Sequence, residues 1–155
     1  MAETGAVYCL GTNDFIKALV EEEPVELTRA AEALVIRAML TGQLIASAFA
    51  WTEVGSTLRK KVRQGIIDIE QANAEWTRFR GLPIEFADSP ALRARAWEIA
   101  ERRRLSNLYD AAFLACTENF LLSRELIREF WTADDILLRA LSDDPPPFVR
   151  RLQAE

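Results

Sequence analysis

The feature that most constrains this chain is an alternation of short, apolar, β-prone runs with longer stretches of helical periodicity. AVYCL (6–10) is uniformly apolar, and NDFIKALV (13–20) opens a helix with Asn13 as its expected N-cap. VELTRAAEALVIRAML (25–40) repeats apolar groups at helical spacing through Leu27, Ala30, Leu34 and Ala38, and Thr41-Gly42 ends it. QLIASAF (43–49) reads as a second strand, and WTEVGSTLRKKVRQ (51–64) as a helix stopped by Gly65. DIEQANAEWTRFRGL (68–82) is amphipathic, PIEFA (83–87) is a third strand, and Ser89 with Pro90 starts a helix over 90–104. NLYDAAFLACTENFLL (107–122) is mostly apolar and therefore expected at the centre. REFWTAD (128–134), DILLRAL (135–141) and FVRRL (148–152) complete the series as strand, short helix and strand. Strands spaced by helices predict an α/β fold, with a mostly parallel sheet of about five strands covered on both faces. The 155 residues suit a single domain, 1–155, without internal repeats.

Composition narrows the chemistry. The chain contains no histidine and two cysteines, Cys9 and Cys116, each within an apolar stretch. Serine–histidine and cysteine–histidine catalysis are thereby excluded, and two distant cysteines cannot close a zinc site. Both are expected to be small buried hydrophobes. Hydrolysis, if any, must rely on carboxylates, lysine or a hard metal held by oxygens. No apolar run approaches the ~20 residues of a membrane span. MAETGAV lacks a basic region followed by an apolar stretch, so a cytoplasmic location without membrane association is expected. The net charge of −5 argues against a broadly basic nucleic-acid surface. Locally basic runs at 58–65 and 93–104 read as solvated helix faces, with Arg59, Lys60 and Lys61 as phosphate-contact candidates.

In an open parallel sheet, sites form at the carboxyl ends of strands, and that rule sorts the 24 acidic residues. Asp134 ends the fourth strand, Glu53 lies in the first turn of the helix after the second, and Asp14 follows the first strand. Asp110 sits between Leu108, Tyr109, Ala111 and Ala112, where an unpaired carboxylate is costly. Its alternative role is that of a helix-start acid favoured by the macrodipole.

Several blocks resemble the PIN-domain family, especially VapC toxins of type II toxin–antitoxin systems. They are WTEVGSTLRKKVRQGII, LYDAAFLACTE and EFWTADDILLRAL, together with the opening VYCLGTNDFIKALVEEEP. The likeness spans nearly the whole chain in the expected order. It implies a PIN-like three-layer α/β/α fold and a metal-dependent endoribonuclease using Mg²⁺ or Mn²⁺. It also implies an RNA substrate, a cognate antitoxin and a homodimer. By position, Glu53, Asp110 and Asp134 match the family's second, third and fourth acids, as catalytic and metal-binding residues, with Asp135 a weaker contributor.

The family's first strand normally ends in an aspartate. Here that position is Gly11, followed by Thr12 and Asn13 as supporting residues. Asp14 stands where an apolar residue is usual; it is a candidate replacement ligand, with helix-start stabilisation the favoured role. Two functional readings follow: a ribonuclease, or a PIN-fold protein that binds antitoxin or RNA with weakened or lost nuclease activity because of Gly11.

Overall fold

The computed structural model describes residues 5–119 and 127–154. Five strands form one parallel sheet: β1 (Ala6–Leu10), β2 (Gly42–Ser47), β3 (Ile84–Ala87), β4 (Ile127–Thr132) and β5 (Val149–Arg151). Their order across the sheet is β3-β2-β1-β4-β5, and every neighbouring pair is parallel. Seven helices connect them: α1 (Thr12–Leu19), α2 (Val25–Thr41), α3 (Ala50–Arg63), α4 (Ile69–Arg80), α5 (Pro90–Arg103), α6 (Leu108–Asn119) and α7 (Asp135–Ala140). The three-layer α/β/α expectation holds.

The central strand explains the uniform apolarity of AVYCL. All five residues of β1 are buried, because both faces of an interior parallel strand are covered by helices. Tyr8 and Leu10 share a face with their register partners Glu129 and Trp131 on β4. On that face Tyr8 meets α2, its hydroxyl 3.1 Å from the Thr41 hydroxyl. Cys9 and Phe130 take the other face, where Phe130 stacks on Phe113 of α6. The mostly apolar α6 is central as expected, with Ala111, Phe113, Leu114, Ala115 and Cys116 all buried. Residues 120–122 of that predicted helix lie outside the described residues. Edge strand β5 is three residues long and ends in the exposed pair Arg150-Arg151, which blunts an otherwise sticky edge.

Local signals account for most boundaries. The Ser89 hydroxyl accepts the Leu92 amide with Pro90 in the first turn, and the Asp68 carboxylate caps α4 through the Gln71 amide. Gly65 ends the α3 segment at φ +72°, the left-handed region. Gly42 does something the sequence did not reveal. It belongs to β2 as well as closing α2, and a β-carbon there would fall 2.0 Å from the Ala6 carbonyl oxygen. Only glycine lets α2 run directly into a strand pressed against β1. The start of α1 also differs from expectation. Its N-cap is Gly11, so Asn13 lies inside the first turn, exposed. Both cysteines are free and buried, as expected, and burial pushes the Cys116 thiol up to about 12. Among the described residues, no helix is long and apolar enough to cross a membrane.

Candidate active site

Strand order places a topological switch at β1. The chain leaves β1 towards β2 on one side and later returns to β4 on the other, which opens a crevice at their carboxyl ends. The turns lining this crevice are Gly11–Asp14 after β1 and Ala133–Asp134 after β4. They are tied together twice. The Gly11 amide donates to the Trp131 carbonyl at 3.2 Å, and the Ala133 amide donates to Asp14 Oδ1 at 3.1 Å.

Three acids meet here electrostatically. Asp110 is half-buried in the first turn of α6, whose opening amides at Tyr109 and Asp110 are capped by the Asn107 side chain. Its carboxyl is raised above the usual aspartate range, first by burial, then by the charges of Asp134 and Glu53. Glu53, in the first turn of α3, is raised by its own burial. The Thr12 hydroxyl opposes that shift by donating to Glu53 Oε1 at 2.8 Å. Thr12 therefore supports Glu53 from the β1 turn, whereas among the described residues no contact of that kind involves the exposed Asn13. Asp134 is the N-cap of α7, with Oδ1 accepting from the Ile136 and Leu137 amides at 2.9 and 3.2 Å. Its own amide donates to Thr132 Oγ1, which fixes the turn from both sides.

Gly11 leaves the crevice without a side chain at the end of β1. Its backbone, at φ −67° and ψ 158°, is extended and open to any residue, so the left-handed turn that would demand glycine is not present. A β-carbon at Gly11 would stand 3.7 Å from the Trp131 carbonyl oxygen and 3.9 Å from the Phe130 ring, in ordinary contact. The turn thus has room for an acidic side chain at this position. Among the described residues, no three histidine, cysteine or acidic side chains stand close enough together to hold an ion. An oxygens-only set of carboxylates suits a hard cation such as Mg²⁺ or Mn²⁺ in its chemistry.

The other predicted acids go elsewhere. Asp14 is wholly buried, with Oδ1 bound to the Ala133 amide and Oδ2 lacking a partner among the described residues. Burial raises its carboxyl to about 8, so the group is mostly protonated at neutral pH. It ties one turn to the other, a role distinct from macrodipole stabilisation, and a periodicity argument could not find it. Asp135 is exposed and paired with Arg151, which holds its carboxyl below the usual range. Lys61 is bound to Glu22, while Arg59 and Lys60 are exposed along a surface cavity of about 460 Å³ with Arg63.

The chain matches no family model, and no curated protein matches it significantly. A solved structure does. A chain of VapBC2 from Rickettsia felis, crystallised bound to a DNA fragment from their promoter, superposes with a TM-score of 0.63 at 16% identity. The match covers 95% of this chain and 99% of that one. This chain has that protein's fold. At so low an identity the likeness speaks for architecture, and the identity of the site rests on the residues above.

Proposed function

We propose that this chain is a VapC-like PIN-domain endoribonuclease, the toxin member of a toxin–antitoxin pair, hydrolysing RNA phosphodiester bonds with Mg²⁺ or Mn²⁺. The observation that supports this reading is the placement of Glu53 in the first turn of α3, Asp110 in the first turn of α6 and Asp134 at the cap of α7. They stand near enough for Asp110 to feel both other charges, though not gathered around one point. Glu53, Asp110 and Asp134 would have to draw closer together to hold the ion. When bound, the ion supplies an activated water and stabilises charge on the phosphate. The protein's own part is placement. Thr12 orients Glu53, the helix cap holds Asp134, and the Asn107 cap sets the first turn of α6 that carries Asp110. Partial burial strengthens the field these carboxylates exert on a cation. The VapBC2 likeness supports an antitoxin as partner, and the family resemblance supports a homodimer.

Gly11 favours a second reading, a PIN-fold binding protein with weakened nuclease activity. One oxygen ligand fewer lowers affinity for a hard cation. An RNA-cleavage assay with Mn²⁺ and Mg²⁺ separates the two, comparing the protein with Gly11→Asp and Asp110→Asn. Cleavage by the unaltered chain that is lost in Asp110→Asn supports the nuclease. Activity appearing only in Gly11→Asp supports the binding protein. Equal activity in all three would reject this site.

A further inference from the structure

Beside the acid crevice runs a second depression of about 750 Å³ between α2 and the β4–β5 edge. Among the described residues, its charged lining is Arg29, Arg37, Arg150 and Arg151 against one acid, Glu26. That ratio is unusual in a chain of net charge −5. We propose that this groove is the binding track for single-stranded RNA leading out of the acid crevice. The proposal rests on the ribonuclease reading for what sits at its end, while the groove itself is argued from its own residues.

Position comes first. Trp131 forms part of the lining, and its carbonyl accepts the Gly11 amide, so the groove wall and the crevice share a hydrogen bond. Arg151 pairs with Asp135, the neighbour of Asp134, and the Leu152 amide donates to the Thr132 carbonyl just before the β4 turn. A strand whose phosphate lay among Glu53, Asp110 and Asp134 would therefore meet these arginines on leaving.

Chemistry comes second. Guanidinium groups present planar forks of N–H donors that match phosphate oxygens two at a time. Arg150 sits 3.7 Å from Glu129 and Arg151 is held by Asp135, whereas Arg29 and Arg37 have no carboxylate within ion-pair distance among the described residues. Arg37 lies over the Tyr8 ring at 5.5 Å and the Trp131 ring at 5.3 Å, building a flat aromatic–guanidinium surface. Unpaired bases stack on such planes, which is how single strands are held without sequence preference. An acidic peptide could meet the arginines, but it would leave the stacking surface unused.

The test is fluorescence anisotropy of a 5′-labelled twelve-nucleotide oligouridine with the full chain in EDTA, where binding is measured without cleavage. Arg29→Glu/Arg37→Glu should weaken binding by about tenfold or more and reduce the salt dependence by roughly 0.7 log unit per lost phosphate contact. Arg59→Glu/Arg63→Glu on α3, the competing basic surface, should weaken binding less than the groove variants do. Arg29→Glu alone, on an exposed side chain, should still cost severalfold and keeps the test decisive if the double variant does not fold. Unchanged binding in both groove variants, with α3 substitution carrying the loss, overturns the groove and leaves the ribonuclease reading standing. No binding by the unaltered chain overturns the groove, while the ribonuclease reading is decided separately by the cleavage assay with metal. A decaglutamate peptide that binds in place of the oligouridine, and is lost in Arg29→Glu, overturns the RNA assignment in favour of a peptide.

Discussion

The two strand-to-helix turns of the crevice are built alike and put their acids to opposite use. At the end of β4, Asp134 is the N-cap, so its carboxylate reaches the free amides of α7 while staying close enough to Asp110 to raise it. At the end of β1, the N-cap is Gly11, and the nearest acid comes three positions later. There Asp14 points into the protein, and its carboxyl becomes a mostly neutral strut against the Ala133 amide. An acid's offset from the strand end thus decides whether it faces the crevice or is drawn into the core.

The largest expected effect breaks the comparison at Asp14. Its folded-state carboxyl titrates near 8 against an ordinary 3.8, so the folded protein keeps a proton that the unfolded chain loses above about pH 4. Stability contributed by that protonation is full below the unfolded value and falls as pH rises towards 8. Asp14→Asn should flatten this loss, leaving a difference from the unaltered protein on the order of a few kcal/mol across the window. Urea denaturation at pH 4, 6 and 8 measures it, and parallel curves would show that Asp14 is already ionised in the fold.

Asp134 should separate its two roles. Asp134→Ala should cost about 1 kcal/mol in stability through the lost cap and should also abolish cleavage. Asp134→Ser keeps a capping oxygen, so its thermal midpoint should stay close to that of the unaltered protein while cleavage is still lost. The Asp110 carboxyl should fall towards its ordinary range in both, as carbon-detected NMR titration would report. Active Asp134→Ser would reduce this turn to a cap alone.

Making the turns alike is the third test. Gly11→Asp meets no clash and needs no unusual backbone angle, so it should fold normally. Its Mn²⁺ affinity by calorimetry should rise about tenfold, the scale of modest changes at metal sites. Unchanged affinity would mean that the crevice does not gather cations. The smallest effect is Thr12→Val, which removes the bond to Glu53 Oε1 and lets burial raise that carboxyl further. Mn²⁺ binding should weaken severalfold, and more at acidic than at alkaline pH, because the raised carboxyl holds its proton longer.

Much of the fold was legible because local rules govern it. The Ser89–Pro90 start, the Gly65 stop, the buried run of β1 and the apolar α6 each act over a few residues. The resemblance likewise pointed to Glu53, Asp110 and Asp134 as acids of one sheet edge. The strand order, with its switch at β1, rests on long-range pairing that no local periodicity encodes. Three further facts needed the packed structure. Asp14 has its partner 119 positions away at Ala133. Gly42 is glycine because the Ala6 carbonyl lies against it. Arg29, Arg37 and Arg150 line one groove only because α2 packs beside β4 and β5. Sequence determined which residues could be strands, helices and ligands, since those preferences arise from backbone and side-chain physics within a turn or two. Tertiary structure decided which of them face one another, because burial and charge act through space and depend on neighbours that the chain brings in from far away.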